Sequence, residues 1–304
     1  MMKSLLLLSF VALAIASPLQ PSFKAAPARI DSEILRNITN GIRHPSDLIF
    51  GGQKATRGQF PWQAFLYITD RRGAKFICGG SLVSKRHILT AAHCTDTGGL
   101  SAPAYAMLGS VNTASTAETP GVQIKQIVSF ETYPDYTGDD LHDDIAIITL
   151  KEEVQLSEFV KIVKIKEDDS QLIEKKKYTV SGFGGYTYKN GNAVSSPDLL
   201  YAEVDYIAHD LCKKRWASAH DRMSVWDRQI CAGSYQKGAG LGDSGGPLQS
   251  KIDDEWFQIG VVSFGVRGTD EPDQTEADLP DVYTRISKYC GFITNQTEGD
   301  FKCL

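Results

Sequence analysis

From Ile49 onward the chain is cut into short apolar runs rich in Val, Ile, Phe and Tyr, separated by clusters of Gly, Pro, Asn and Asp. The runs include Trp62 to Ile68, Gly80 to Val83, His87 to Thr90, Val122 to Phe130, Ile145 to Leu150, Tyr178 to Ser181 and Gln258 to Phe264. Residues of these types suit a pleated, half-buried surface, and repeated short strands with turn signals between them predict an all-β chain, either a barrel or a sandwich. Helix is expected with conviction only from His209 to Ala219 and from Ser287 to Asn295. No internal repeat or low-complexity tract interrupts the pattern.

The preceding residues have a different texture. Lys3, an apolar run from Leu5 to Ile15 and the small-residue ending Ala14-Ile15-Ala16 read as a secretory signal over 1–16. That run is too short to span a bilayer comfortably, and no later stretch reaches the ~20 apolar residues of a transmembrane helix. The expected product is a soluble, secreted protein without a membrane partner. Residues 17–48 carry Pro18, Pro21, Pro27 and Pro45, few large apolar side chains and no strand pattern, so they read as an extended propeptide before a folded domain at 49–304. Six cysteines in a secreted chain point to three disulfides. The sequons Asn37-Ile38-Thr39 and Asn295-Gln296-Thr297 fit the same compartment, and only the second falls in the expected mature part. With 42% hydrophobic and 23% charged residues the chain reads as globular, and a net charge of −5 leaves no basic footprint for nucleic acid.

Three local patterns carry chemistry. In Gly242-Asp243-Ser244-Gly245-Gly246-Pro247 a hydroxyl stands on a tight turn whose glycines keep other side chains away, as an acyl-transfer nucleophile requires. In Thr90-Ala91-Ala92-His93-Cys94 a histidine flanked by small residues supplies the base that such a hydroxyl needs at neutral pH. In Asp143-Asp144-Ile145-Ala146-Ile147 an acid precedes an apolar strand, where a carboxylate can hold an imidazole in one tautomer and stabilise the imidazolium. Taken singly, each has a plainer structural reading: a turn serine, a core histidine, a solvated acid. Their order, His, Asp, Ser over widely separated positions, is the order found in chymotrypsin.

Further segments carry the likeness along the chain: Ile49-Phe50-Gly51-Gly52, Phe60-Pro61-Trp62, Cys78 to Cys94, Ser181-Gly182-Phe183-Gly184, Ser263-Phe264-Gly265 and Pro280-Asp281-Val282-Tyr283. In this order, from residue 49 to about 290, they resemble the trypsin and chymotrypsin family of secreted serine proteases. The resemblance implies two six-stranded antiparallel β-barrels with the active site between them and a short C-terminal helix. It implies Ser244 as nucleophile, His93 as general base and then acid, Asp144 as its orienter, and the backbone N–H groups of Gly242 and Ser244 as the oxyanion hole. Asp144 is preferred over Asp143 because the family places its acid directly before the Ile-Ala pair. Ser263 is expected beside Asp144, and Ser263 to Gly265 should pair with the substrate backbone.

Ile49 resembles the N-terminus that zymogen cleavage frees, whose ammonium would fold inward to Asp243. The residue before it, Leu48, stands where the family often has Arg or Lys, so the activating protease should accept a large apolar residue, self-activation included. Family spacing places Gly238 at the base of the primary specificity pocket, Gly265 at its mouth and Asp281 on its wall. An uncharged base implies preference for cleavage after Phe, Tyr, Leu or Met, and an acid on the wall above it resembles certain invertebrate digestive proteases of mixed preference. Asp281 would either extend tolerance to basic residues or pair with a cation such as Lys237 and be silent.

The resemblance further implies the bridges Cys78–Cys94 and Cys212–Cys231, leaving Cys290 with Cys303. One usual family bridge is missing, because Gly240 occupies the first cysteine position and Val266 to Leu279 contains none. That region must be held otherwise or be mobile, while its acids Asp270, Glu271, Asp273, Glu276 and Asp278 could favour basic substrate flanks. No cofactor and no metal site are expected, and a monomer is the family default. The implied partners are protein or peptide substrates, the activating protease and protein inhibitors. The rival from another class is a catalytically inactive homologue acting as a binding or regulatory protein, which would usually lack His, Asp or Ser at the triad positions.

Overall fold

The computed structural model describes residues 49, 51–97, 103–173, 175, 177–189, 192–219, 224–234, 237–265 and 279–304. The signal, the propeptide, Leu48 and the first sequon lie outside the described residues, as do the acids between 270 and 278.

After the two-residue strand β1 (Gln53–Lys54), six strands close the first barrel: β2 (Gln63–Thr69), β3 (Lys75–Leu82), β4 (His87–Thr90), β5 (Ala104–Leu108), β6 (Gln123–Thr132) and β7 (Ala146–Leu150). Round the barrel the order is β2-β3-β4-β7-β6-β5, and every pairing is antiparallel. Strand side chains alternate between faces, so in β2 the inward Ala64, Leu66 and Ile68 are buried while Phe65 and Tyr67 are partly exposed. Leu82, Ile88, Leu108, Ile147 and Leu150 complete this core.

The second barrel is built from β8 (Lys177–Gly182), β11 (Leu200–Ile207), β12 (Gln229–Gly233), β13 (Pro247–Ile252), β14 (Glu255–Phe264) and β15 (Asp281–Arg285). It runs β11-β12-β15-β14-β13-β8 and closes where β8 pairs with β11, with β1 added beside β11. Between β8 and β11 the hairpin β9 (Gly185–Lys189) and β10 (Asn192–Ser195) forms its own two-stranded sheet. Ile49 is fully buried in this second core with Tyr178, Val180, Leu200, Ala239 and Tyr283. Helix α1 covers His209–Ala219, and the C-terminal helix α2 spans Cys290–Gln296. The expected C-terminal helix therefore begins later than Ser287, because Ile286–Tyr289 winds as a tighter 3-10 turn first.

Three disulfides pin the ends of these elements: Cys78–Cys94, Cys212–Cys231 and Cys290–Cys303. The last holds the tail, where Leu304 N–H donates to the Ile165 carbonyl and Glu167 N–H to that of Leu304.

A buried polar seam joins the barrels. Trp62 Nε1–H donates to Gln249 Oε1 at 2.8 Å, Gln249 Nε2–H to Ser181 Oγ at 2.9 Å, and Ser181 O–H to Gln63 Oε1 at 2.8 Å. Beside them Ser81 O–H donates to Gln258 Oε1 at 2.5 Å. Each of these groups would cost about 1–3 kcal/mol if buried without a partner, so the network fixes one relative placement of the barrels.

Candidate active site

The candidate site is formed by His93 and Ser244, both partly exposed, and the buried Asp144. β4 ends at Thr90, Ala91 is extended, and a single 3-10 turn over Ala92–Cys94 carries His93. Cys94 is bridged to Cys78 in β3, which anchors the turn directly after the histidine. Asp144 precedes β7 and is fully buried.

Both oxygens of Asp144 are committed to this region. Oδ1 accepts from His93 N–H at 2.9 Å, while Oδ2 lies 2.7 Å from His93 Nδ1 and accepts Ser263 O–H at 2.6 Å. Thr284 O–H donates to the Asp144 carbonyl at 2.8 Å. Thus β14 and β15 of the second barrel hold an acid that belongs to the first. Burial of the His93 ring opposes its protonation, but the carboxylate at Nδ1, aided by Asp96, outweighs it and holds the imidazole above its ordinary value. Since Nδ1 faces a carboxylate, Nε2 is the nitrogen left to act as a base.

Ser244 is partly exposed at the end of the glycine turn before β13. Its carbonyl accepts Gly79 N–H at 2.7 Å, and Gly245 N–H donates to the Val262 carbonyl at 2.8 Å. A Cβ on Gly79 would stand 2.8 Å from the Gly246 Cα. Gly245 has φ +81°, and a Cβ there would overlap Thr90 Oγ1 and come within 2.6 Å of the Gly79 carbonyl oxygen. The serine turn is therefore packed directly on the end of β4, three residues before His93.

Asp243 is fully buried, with Gly184 N–H donating to Oδ1 and Gly240 N–H to Oδ2, each at 2.7 Å. The carboxylate rests on glycine backbone, since a Cβ on Gly184 would come within 2.5 Å of its Cγ. Gly240, standing where the absent bridge would begin, packs on Gly185: a Cβ would lie 2.9 Å from the Gly185 carbonyl carbon and overlap its oxygen. Gly185 N–H also donates to the Leu241 carbonyl at 2.6 Å. On this side the segment is held by close backbone packing rather than by a disulfide.

Asp281 is 2% exposed. Its Oδ2 accepts from Ala239 N–H at 3.0 Å and Tyr283 O–H at 3.3 Å, while a Cβ on Gly265 would lie 3.2 Å from its Cγ. The structure thus brings Asp281, Gly265 and the residue after Gly238 together. Thr284 was not singled out from the sequence, and it could not have been, because its partner lies 140 residues away in the chain.

Residues 49–293 match the family model described as Trypsin. Among curated relatives, the chain is 33% identical to "Serine protease Hayan" of Drosophila melanogaster, over 81% of this chain and 38% of that protein. It is 32% identical to "CLIP domain-containing serine protease B15" of Anopheles gambiae (84% and 71%) and 34% identical to "Venom serine protease Bi-VSP" of Bombus ignitus (79% and 66%). The chain thus spans well under half of the first relative and about two thirds of the other two. Two closed barrels, a buried His–Asp pair beside a glycine-flanked serine, and the match over 49–293 lead to one assignment: the chain belongs to the trypsin family of serine proteases.

Proposed function

We propose that the protein is a secreted serine endopeptidase, made as a precursor and activated by cleavage between Leu48 and Ile49. The observation that carries this reading is the line of hydrogen bonds from Ser263 through Asp144 to His93, set against a serine turn packed on the same strand end. In the proposed reaction Ser244 Oγ attacks the scissile carbonyl as His93 Nε2 takes its proton. The N–H groups of Gly242 and Ser244 receive the oxyanion. His93 then gives the proton to the leaving amine, and water releases the acyl group by the same steps in reverse order of roles. No group in this cycle calls for a metal or cofactor.

Activation follows from charge. Two backbone N–H groups donate to the buried Asp243 carboxylate, beside the nucleophile turn. The ammonium freed at Ile49, whose side chain is seated in the second core, would fold inward to pair with this carboxylate. The proposed primary pocket has Gly238 at its base, Gly265 at its mouth and Asp281 in its wall, giving cleavage after Phe, Tyr, Leu or Met with added tolerance of Lys and Arg. Among the described residues no helix is long and apolar enough to cross a membrane, which is compatible with secretion. Substrates are therefore proteins or peptides, and the activator is either another protease or a second copy of this one.

Peptide amides differing only at the residue before the scissile bond test this reading, using protein cut after Leu48 and a Ser244→Ala control. Turnover after Phe or Leu that vanishes in the control is expected. No turnover on any peptide, with the Ile49 terminus verified, would instead favour a binding homologue.

A further inference from the structure

Asp143 is a buried carboxylate that the chemistry above does not use. It directly precedes Asp144, is 5% exposed, and has φ +52°, a left-handed conformation that Asp tolerates better than most residues. Its carbonyl accepts Ile145 N–H at 2.8 Å, closing a three-residue turn with Asp144 at the centre. Its side-chain Oδ1 accepts from Arg228 Nη1 at 2.9 Å and from Tyr289 O–H at 2.8 Å.

Both donors are themselves fixed. The Arg228 guanidinium lies over the Trp226 ring at 5.0 Å and the Tyr289 ring at 5.9 Å, and its carbonyl accepts Arg285 N–H at 2.9 Å. The next residue, Gln229, donates Nε2–H to the Leu141 carbonyl at 3.2 Å, on the other side of Asp143. Tyr289 meets the Tyr133 ring edge-on at 5.2 Å, and Tyr133 N–H donates to the Ile145 carbonyl at 3.0 Å. The turn bearing Asp144 is thereby tied on both flanks to elements outside its own loop.

We propose that Asp143, Arg228 and Tyr289 are positioning residues for Asp144. They lock the turn that presents it, and Arg228 neutralises the second carboxylate so that Asp144 dominates the field at His93. Two successive buried acids without a cation would place twice the negative charge behind the imidazole. The other titratable groups near this region are Tyr133, Tyr136, Asp96, Asp139, Asp140 and His142, the last stacked on Trp226 at 4.5 Å and paired with Asp140 at 2.9 Å, and none of these is changed in the variants below. Burial pushes the Tyr136 and Tyr289 phenols up, aided by the neighbouring acids, so neither contributes charge near neutrality. Asp96 is exposed, and none of the proposed variants alters it.

The proposal rests on His93 and Asp144 being catalytic, and its test separates the two. The readout is the acidic limb of the kcat/KM–pH profile of the activated full chain, which follows deprotonation of His93. Arg228→Gln leaves the Asp143 charge exposed to the imidazole and should move the limb up by roughly 0.5 pH unit. Asp143→Asn keeps an acceptor for Tyr289 and a residue that tolerates φ +52°, but leaves Arg228 unopposed, so the limb should move down by about as much. The double variant should return close to wild type. Should either single variant fail to fold, Tyr289→Phe retains the ring and should lower kcat severalfold at unchanged KM. Unmoved limbs in Arg228→Gln and Asp143→Asn, or wild-type kcat in Tyr289→Phe, would overturn the positioning role. Full turnover by His93→Ala would overturn the catalytic reading beneath it.

Discussion

Replacement of Gly245 by Ala probes the contact that sets Ser244 against His93. Two costs are readable from the structure. An Ala at φ +81° pays about 1–2 kcal/mol for the left-handed conformation. Its Cβ would also overlap Thr90 Oγ1 and approach the Gly79 carbonyl oxygen to 2.6 Å and the Ala91 nitrogen to 3.0 Å. Two of these three neighbours are backbone, and Thr90 is held by its own bond to the Gly79 carbonyl at 2.8 Å, so relief requires moving the turn. Overpacking of this kind costs about 1–3 kcal/mol, for a total near 2–5 kcal/mol. At roughly 2–4 °C per kcal/mol for a domain of this size, Tm should fall by about 4–20 °C. A displacement near 1 Å between serine and histidine should lower kcat about 100-fold. Gly73→Ala is the internal control, because Gly73 has φ +82° with nothing within 4 Å of its Cβ position and pays only the conformational cost. Calorimetry and steady-state kinetics on both variants make the comparison. Equal losses of Tm and wild-type kcat in both would refute the claim that close packing of the two barrels, rather than turn conformation alone, sets the site.

Ser263→Ala removes a hydrogen bond to a buried carboxylate and should cost about 1.5–3 kcal/mol, read as a lower Tm and reduced kcat. Gln249→Ala strips partners from Trp62 and Ser181 in the buried seam and should destabilise by about 2–4 kcal/mol in denaturant titration, with KM unchanged if the protein folds. Asp281→Ser should abolish turnover after Lys and Arg while sparing turnover after Phe and Leu; equal loss on both classes would assign Asp281 to pocket architecture alone. His93 is held above its unfolded value, so its pairing with Asp144 stabilises the fold fully below the unfolded value and fades as pH rises through the folded one. The Tm difference between Ser244→Ala and Ser244→Ala/His93→Gln should therefore be larger at pH 5 than at pH 8.

Strands were legible because β-branched and aromatic runs alternate faces and end at turn residues, and His209–Ala219 is helical over the expected residues. Local pattern alone left barrel and sandwich open, since closure depends on pairings such as β8 with β11 that no single segment encodes. Gln63, Gln249 and Gln258 are polar residues in apolar strands and would ordinarily be placed outside. They are buried because each finds a partner across the barrels, up to 187 residues away. In the Asp143-Asp144 pair the residue types are identical and only the family pattern distinguished them. The structure adds that Asp144 faces His93 while Asp143 faces Arg228. The missing bridge was visible at Gly240, but its replacement by backbone contact with Gly185 was not, because a glycine's neighbours leave no trace in sequence.

The most direct test is labelling by a fluorophosphonate, which reacts selectively with an activated serine hydroxyl, followed by mass spectrometry of the modified peptide. Ser244 should be labelled rapidly once the chain is cut between Leu48 and Ile49, slowly before the cut, and not at all in His93→Ala. Absence of label on verified cut protein, or labelling unchanged in His93→Ala, would contradict the catalytic reading.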